Sequence, residues 1–356
     1  MTEPAVVPAR IEVTSYPWPD VTPDVDLVAQ VAQTLEVRDG DVLLLTSKVV
    51  SKAEGLLASG RRADVVDAES VRVLARRGAT VIAETRHGLV MAAAGVDASN
   101  VPPGVVVTLP VDSDESARRL RSGLYDSTGR NVAVIVTDTA GRAWRNGQTD
   151  MAVGCAGMAA LLDHAGTRDT HGNLLSVTAP AVADELAAAA DLVKGKTSGR
   201  PLAVVRGLGR WVLPAGESGP GARTLIRHSD DDLFGLGARD AVHAAASRRD
   251  TQALAHFPKR VVGDPDPFAD VRSTHPQARV TWARDDQLAG SVQDAWMVRV
   301  DIEDTAGVGA WLEAGRLLEK VDSLAAAHRL HRTDLPTHEH RVTGWQTVTR
   351  THWSVA

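Results

Sequence analysis

The sequence predicts a protein of mixed α/β class with α+β character. Over residues 1–240, short apolar runs alternate with amphipathic helical patterns, which is typical of such folds. The composition changes near residue 250, since most of the tryptophans lie beyond it, at Trp282, Trp296, Trp311, Trp345 and Trp353. Because disordered tails are poor in aromatic residues, we expect this tail to be folded. We predict a larger domain over residues 1–248, a linker over 249–270 and a small α/β module over 271–356.

Continuous apolar runs mark the buried strands of the first domain. Residues 41–50 (DVLLLTSKVV) predict a buried strand that runs into a polar loop. Before it, residues 24–35 predict a helix, because Leu27, Val31 and Leu35 recur at helical spacing. Further buried strands are predicted over residues 80–84, 105–109, 132–137 and 202–205.

Helix-end signals predict two longer helices. Residues 112–120 begin with Asp112-Ser-Asp-Glu115, the pattern of a capping box. Residues 180–194 predict an alanine-rich helix that starts near Thr178 and ends at Gly195. The tail pattern predicts strand 279–283, helix 285–295, strand 297–302, helix 306–328 and strand 341–349.

Charge and composition exclude several classes of function. The net charge of −6 disfavours a protein that binds duplex nucleic acid, which usually needs a basic face. No apolar run approaches the roughly 20 residues that a membrane span requires, and residues 1–13 contain no apolar core of signal-peptide length. Cys155 is the one cysteine, so a disulfide framework is excluded and the residue is interpreted as a packed small side chain. We therefore expect a cytoplasmic protein that binds neither membranes nor nucleic acid.

The strongest motif is a polar loop from Thr137 to Asp150, directly after an apolar strand. Ligands of α/β folds bind beyond the carboxyl ends of strands, and Asp138 with Thr139 offers the oxygen atoms that Mg²⁺ or Mn²⁺ prefers. Arg142 and Arg145 would supply planar donors to phosphate or carboxylate. The competing interpretation is a surface turn held by salt bridges.

A second motif lies in a small-residue loop that contains Asp97 and Asn100. Asp97 could be a second metal carboxylate and Asn100 a contact to a base or phosphate. The alternative is an Asx-turn that ends at Pro102.

A third motif has two Ser-Lys pairs, Ser47-Lys48 and Ser51-Lys52, after a buried strand. Their lysines could neutralise phosphate charge while the hydroxyls donate hydrogen bonds to it. A Ser–Lys nucleophile and an exposed polar turn are the two alternatives.

A fourth motif, Gly195-Lys196-Thr197, has the letters of a P-loop but the wrong polarity. A P-loop follows a strand and opens a helix, whereas this segment closes a helix and precedes a strand. A phosphate contact through Lys196 and the neighbouring glycines stays open, beside the simpler interpretation of a glycine helix cap.

Taken together and in order, these segments resemble the coenzyme F-420:γ-glutamyl ligase family through most of residues 10–245. The matching stretches are 40–55, 86–101, 137–154, 177–199 and 204–208. The resemblance implies a two-lobed catalytic domain with a small α/β C-terminal extension, and a homodimer. It also implies GTP as cosubstrate, two divalent cations (Mg²⁺ or Mn²⁺) and K⁺.

The resemblance assigns roles to the residues of these motifs. Asp97, Asp138 and Thr139 match metal ligands, and Asp138, Lys52, Arg142 and Arg145 are the candidate catalytic residues. The family's early Leu-Pro-Glu-Val stretch, which contacts GTP, corresponds here to Trp18-Pro19-Asp20-Val21. The remaining candidate nucleotide contacts are Ser47, Lys48, Lys52, Asn100, Gly195, Lys196, Thr197, Ser198 and Gly199.

The implied activity is a GTP-dependent ligase that joins a carboxylate of the glutamate-free deazaflavin precursor to L-glutamate through an acyl phosphate. Further γ-linked glutamates would follow. Three alternatives remain: an amide ligase for a different acid or amine, a non-catalytic binding protein, and a Ser–Lys hydrolase. Some family members carry a flavin-binding nitroreductase-like domain, but residues 250–356 do not match it, so no FMN is predicted.

Overall fold

The computed structural model describes residues 10–228, 231–232, 234–247, 257, 266–284, 295–303, 305–328, 330–334 and 345–355. The chain divides into two compact units, Met1–Arg227 and His228–Ala356. The predicted first domain, 1–248, extends past this division, and most of the predicted linker lies outside the described residues. The mixed α/β class is confirmed by seven helices and fourteen strands within the described residues.

The first unit begins with β1 (Glu12–Tyr16), α1 (Leu27–Thr34), β2 (Val42–Thr46), α2 (Ser47–Ala53), β3 (Leu57–Ser59) and α3 (Arg62–Glu69). It continues with β4 (Ser70–Arg77), β5 (Thr80–Thr85), β6 (Val90–Ala92), β7 (Val105–Val107) and α4 (Ser113–Thr128). It ends with β8 (Ala133–Arg142), β9 (Arg145–Ala156), α5 (Val182–Lys194) and β10 (Leu202–Arg206).

A five-stranded sheet in the order β1-β10-β2-β8-β9 organises the first unit. Strands β2 and β8 are parallel, with Thr46 opposite Thr137, and every other pairing in this sheet is antiparallel. The N-terminal strand β1 therefore pairs with β10, the last strand of the unit. Smaller sheets are β4-β5-β6 and β3-β7.

Two hydrophobic cores cover the two faces of the sheet. Leu43 and Leu45 of β2 pack in one core together with Leu120 and Leu124 of α4. The alternate residues of β2 pack in the other core together with α5, at Val42, Leu44, Val182, Leu186 and Ala190. Because β2 is buried on both faces, its sequence is continuously apolar, and this is why the strand could be predicted.

The helix-end predictions are confirmed at two of three places. The Asp112 side chain caps α4 by accepting a hydrogen bond of 2.9 Å from the Glu115 backbone N–H. Gly195 ends α5 with a positive φ of 62°. The predicted start at Thr178 is wrong, because α5 begins at Val182 after Ala181, which makes no side-chain capping bond.

Two predicted loops are regular structure instead. The polar segment after β2 forms α2, because Val49 and Val50 at its centre are buried against the core. The segment from Thr137 to Asp150 is a β-hairpin of β8 and β9, with a tight turn between Arg142 and Arg145.

The second unit contains α6 (Ala238–Ser247), β11 (Ala278–Arg284), β12 (Ala295–Glu303), α7 (Val308–Ala327), β13 (Leu330–Asp334) and β14 (Trp345–Val355). An antiparallel sheet in the order β11-β12-β14-β13 packs with α7 around a separate core that includes Phe268 and Trp296. The predicted strands 279–283 and 297–302 and the helix 306–328 are confirmed. The last described strand, Trp345–Val355, extends past the predicted end at Thr349, and residues 341–344 lie outside the described residues. Most of the predicted helix 285–295 lies outside the described residues, and Ala295 begins β12.

No helix in the described part of the chain combines the length and apolar character that crossing a membrane would require. The thiol of Cys155 is buried, and burial raises its pKa to about 12, so the residue is a packed side chain as expected.

Candidate active site

A cavity of about 320 Å³ lies in the first unit beside the end of β2. It is lined by five acidic and five basic residues, so its wall carries both signs of charge in equal number. Most of the residues predicted from the sequence line it, namely Trp18, Pro19, Asp20, Val21, Ser47, Lys48, Lys52, Asp97, Asn100, Asp138, Thr139, Gly195, Lys196 and Gly199.

The central sheet and its connections bring these distant segments together. Strand β2 ends at Thr46 and α2 begins at Ser47, so the Ser-Lys motif starts beside the strand β8 that carries Asp138. Opposite them, the backbone N–H of Trp18 donates to the Gly199 carbonyl at 3.0 Å, which joins the early stretch to the segment after α5.

Asp138 is the partly buried carboxylate at the centre of this arrangement. It accepts a hydrogen bond of 2.8 Å from the Ser47 hydroxyl. Burial raises the pKa of Asp138 from 3.8 to about 6; the negative charges of Asp150 and Asp97 add to this rise, and the Ser47 hydrogen bond opposes it. The site therefore holds a carboxylate whose ionised form is stabilised by added positive charge.

Asp97 reaches the cavity from a loop whose backbone pairs with β7. Its N–H donates to Val107 O at 3.0 Å, and its side chain forms an ion pair of 2.6 Å with Lys48. Burial acts to raise the pKa of Asp97, but the hydrogen bonds from Lys48 and Ser99 outweigh it and leave the pKa below its ordinary value. Asp97 is consequently a stable anion.

Lys52 forms a second ion pair on the wall, at 2.7 Å from Asp20. The lysine side chain is only 10% exposed, whereas that of Asp20 is 85% exposed. The hydrogen bond from Lys52 lowers the pKa of Asp20. Lys52 is thus a nearly buried cation whose partner lies at the mouth of the site.

A buried network that the sequence did not predict lies behind Asp138. Lys194 forms an ion pair of 2.7 Å with Asp150, and the two side chains are 2% and 3% exposed. Asp150 also accepts hydrogen bonds from the hydroxyls of Thr137 at 2.9 Å and Thr139 at 2.7 Å. The wall also includes the polar residues Thr46, Asp191 and Arg200.

The oxygen donors fit a hard divalent cation. Asp97, Asp138 and Thr139 line one cavity. Burial raises the pKa of Asp138 and repulsion from Asp150 and Asp97 adds to the rise, and a bound cation would offset both effects. Within the described ranges, no group of three or more histidine, cysteine, aspartate or glutamate side chains could hold a metal ion. A cation here would therefore complete its shell with phosphate oxygens or water, as Mg²⁺ commonly does.

The basic side chains fit an anion in the same space. Lys48 and Lys52 lie on α2, and Lys196, which also lines the cavity, lies in the segment after α5. The volume is within the range of small-molecule sites, about 300–1,000 Å³. The cavity can therefore hold a phosphate-containing ligand together with a cation.

Four predicted residues lie elsewhere. Arg142 and Arg145 are exposed at the tip of the β8–β9 hairpin and do not line the cavity. Thr197 and Ser198 are in the segment after α5 but outside the lining, and the Ser198 hydroxyl donates to the Lys194 carbonyl. The roles given to these four residues stay predictions.

The geometry gives little support to a Ser–Lys nucleophile. The Ser47 hydroxyl donates to Asp138, and the Ser51 hydroxyl is buried with no hydrogen-bond partner in the part of the chain that is described. Neither hydroxyl has the lysine hydrogen bond that would activate it.

Fold and cavity together define a mixed α/β protein whose cavity is lined by both carboxylates and lysines. The chain belongs to the F420-0:Gamma-glutamyl ligase family, whose model matches residues 59–207. A coenzyme F420:L-glutamate ligase from Methanopyrus kandleri is 39% identical over 235 residues, which are 60% of this chain and 93% of that protein. This confirms the resemblance inferred from the ordered motifs.

Two further relatives carry the same description. The protein from Methanothermobacter thermautotrophicus is 38% identical over 222 residues, 56% of this chain and 86% of the relative. That from Archaeoglobus fulgidus is 37% identical over 203 residues, 51% of this chain and 82% of the relative. The likeness thus spans nearly the whole of each relative but little more than half of this chain.

Proposed function

We propose that this chain is a GTP-dependent ligase that forms an amide between a carboxylate of the glutamate-free coenzyme F-420 precursor and the amine of L-glutamate. Extension by γ-linked glutamate would follow. The names of the relatives support the substrates, and the cavity supports the use of a nucleotide and a cation. The observation that carries the proposal is the convergence of Asp97, Asp138, Lys48 and Lys52 on one cavity from separate parts of the chain.

In this proposal, different residues of the cavity bind the cation, the phosphates and the nucleoside. Asp97, Asp138 and Thr139 hold Mg²⁺ or Mn²⁺, which would offset the charge that develops on phosphate oxygens. Lys48, Lys52 and Lys196 contact the phosphates. The Trp18–Val21 stretch and the segment from Gly195 to Gly199 enclose the nucleoside.

A carboxylate needs activation before an amine can displace its oxygen. The γ-phosphoryl group of GTP moves to the acceptor carboxylate: a new P–O bond forms, the bond to the β-phosphate oxygen breaks, and GDP leaves. The glutamate nitrogen then bonds to the acyl carbon, phosphate leaves with the electron pair of the broken C–O bond, and the amine loses a proton. Lys48 and Lys52 would stabilise the negative charge on the transferred phosphoryl group.

Incubation of the purified protein with the glutamate-free coenzyme, GTP, Mn²⁺ and glutamate tests this function. Mass spectrometry should detect a gain of one glutamate residue that requires all four components. A heavy-oxygen label in the acceptor carboxylate should appear in the released phosphate, because the acyl phosphate passes that oxygen on. Asp138→Ala should abolish turnover, whereas a Ser–Lys hydrolase would keep it.

A second candidate is an amide ligase of the same chemistry that acts on a different acid or amine. It is favoured by Trp18, a large side chain in the cavity wall where the family stretch has leucine. If GTP is hydrolysed only with another acid–amine pair and the deazaflavin precursor gains no mass, this candidate replaces the first.

We also propose a homodimer and a K⁺ requirement, which come from the family resemblance. Sedimentation of the purified chain should give twice the monomer mass. Replacing K⁺ by Na⁺ should lower turnover, and unchanged turnover would remove K⁺ from the proposal.

A further inference from the structure

A buried ion pair joins the end of α5 to the β8–β9 hairpin, and both of its residues line the cavity. Lys194 is the last residue of α5, and its ammonium donates to Asp150 at 2.7 Å and to the Thr137 hydroxyl at 2.8 Å. The other oxygen of Asp150 accepts from the Thr139 hydroxyl at 2.7 Å. Each oxygen of this carboxylate therefore has a fixed donor.

The register of the hairpin creates this geometry. Asp150 lies opposite Thr139 in the β8–β9 ladder, and a bulge between Val136 and Thr137 brings Thr137 to the same carboxylate. Both threonines flank Asp138, so the network surrounds the residue proposed to hold the cation.

We propose that Asp150 and Lys194 are positioning residues that orient the Thr139 hydroxyl for cation binding, an inference that rests on the function proposed above. A hydroxyl has one proton and two acceptor lone pairs. Because the Thr139 proton is committed to Asp150, the lone pairs of its oxygen are left for the cavity. Without that acceptor, the proton could point at the cation and oppose its binding.

Lys194 determines which groups donate and which accept in this hydrogen-bond network. Its ammonium can only donate, so the Asp150 oxygen and the Thr137 oxygen that face it must accept. The Thr137 proton then goes to Asp150, which completes the polar contacts of that oxygen. Groups that orient metal ligands in this way commonly change metal affinity about 10–100-fold when they are removed.

Lys194 also links the segment proposed to contact the nucleotide to the hairpin proposed to hold the cation. The segment that follows it contributes Gly195, Lys196 and Gly199 to the cavity. The ion pair to Asp150 therefore holds the end of α5 against the hairpin base at a fixed distance. Loss of the pair should affect cation and nucleotide binding together.

Asp150→Asn is the decisive variant, because asparagine keeps the size of the side chain and reverses the direction of the hydrogen bond with Thr139. Lys194 selects the amide oxygen, so the amide N–H₂ must face Thr139 and donate to it. The Thr139 proton is then free to point into the cavity. Lys194 and both threonines keep hydrogen-bond partners, but the ammonium loses its buried counter-charge, so Asp150→Asn should also lower stability.

The measurement is Mn²⁺ affinity of the full chain with GDP, by calorimetry and by electron paramagnetic resonance. Asp150→Asn should weaken Mn²⁺ binding about 10–100-fold. Thr139→Val should weaken it similarly, and adding Thr139→Val to Asp150→Asn should cost little more, because both act through one hydroxyl. Thr139→Ser should retain affinity in the wild-type background but not beside Asn at position 150.

Asp41→Asn is the matched control for simple destabilisation. Asp41 is a buried carboxylate paired with Arg206 at 2.9 Å, at the far end of β2 from the cavity. This control should lower thermal stability without weakening Mn²⁺ binding.

Two results would overturn the inference while leaving the proposed function intact. One is wild-type Mn²⁺ affinity in Asp150→Asn; the other is a Thr139→Val loss that is equally large in both backgrounds. A wild-type protein that binds no Mn²⁺ with GDP would overturn the inference and the proposed function together.

Discussion

At the scale of single residues, the surroundings of the cavity shift the pKa values of two carboxylates in opposite directions. Lys48 and Ser99 hold the pKa of Asp97 below its usual value against the effect of burial. Burial and two neighbouring acids raise the pKa of Asp138 to about 6. The sequence predicted Asp138 from the polar motif after an apolar strand and Asp97 from its small-residue loop, but it could not predict this difference in charge. The difference depends on neighbours that folding brings together, such as Asp150.

The raised pKa of Asp138 gives a pH-dependent stability without added cations. The folded protein favours protonated Asp138, so this contribution is complete below the ordinary pKa of 3.8 and is lost as the pH rises through about 6. Asparagine does not ionise, so Asp138→Asn does not lose this stability at high pH. At pH 7.5 the variant should therefore be more stable than wild type by on the order of 2 kcal/mol. Chemical denaturation at pH 3.5 and 7.5 measures this effect.

Asp169→Asn provides a control of opposite sign. Hydrogen bonds from the Asn173 side chain and backbone lower the pKa of Asp169, so its ionised form favours the folded state. Its replacement should not stabilise the protein at pH 7.5. An Asp138→Asn variant that is less stable than wild type at that pH would contradict the prediction.

At the scale of secondary structure, the elements that could be predicted are those with an unambiguous periodicity or end signal. Strand β2 has an apolar run because both of its faces are buried, and α4 has its capping aspartate at Asp112. Helix α2 has only seven residues, too few to establish a helical period beside its lysines. The β8–β9 hairpin was interpreted as a loop because its glycines and polar residues are also those of loops.

The cap of α4 gives a local test. Asp112→Ala removes the acceptor for the Glu115 N–H and should lower the free energy of unfolding by about 1 kcal/mol. Urea denaturation measures the loss. Asp126→Ala, on the exposed face near the other end of α4, is the control and should cost nothing, since a negative charge there opposes the helix dipole.

The close approach of β9 to α4 depends on Gly154. A Cβ atom at this position would overlap the Ser113 carbonyl and lie 2.7 Å from the Ser113 Cβ, so the helix or strand would have to move. Gly154→Ala should therefore destabilise the first unit by roughly 1–3 kcal/mol, the usual cost of overpacking. Thermal denaturation should reveal this loss, and Gly141→Ala, which adds its Cβ in open space, should leave the melting temperature unchanged.

At the scale of the whole molecule, each of the two units has its own hydrophobic core, and the candidate site lies within the first. Much of the cavity wall could be predicted because its residues lie in short polar blocks in a distinctive order. The pair of Asp150 and Lys194 could not, because its members are 44 residues apart and no sequence pattern links the end of the Thr137–Asp150 motif to the end of α5. Only the hairpin register and the end of α5 bring them into contact.

Separate cores predict separable stability. Phe268 is fully buried in the second core and packs edge-to-face with Trp296. Phe268→Ala should destabilise the second unit by about 3–5 kcal/mol, with faster hydrogen exchange in β11, β12 and α7. Mn²⁺ and GDP binding in the first unit should stay unchanged, and Phe268→Leu should give a smaller effect of the same kind. Loss of GDP binding in either variant would contradict the independence of the two cores.

The pairing of β1 with β10 has a consequence for the order of events during synthesis. Tyr16 pairs with Leu202, and the Trp18 N–H donates to Gly199, so this wall of the cavity joins the earliest and latest segments of the first unit. While the ribosome is still making the intervening residues, β1 has no strand to pair with. Trp18 and its neighbours therefore stay without their native pairing during this time. The nascent chain acquires its binding site only after β10 has emerged.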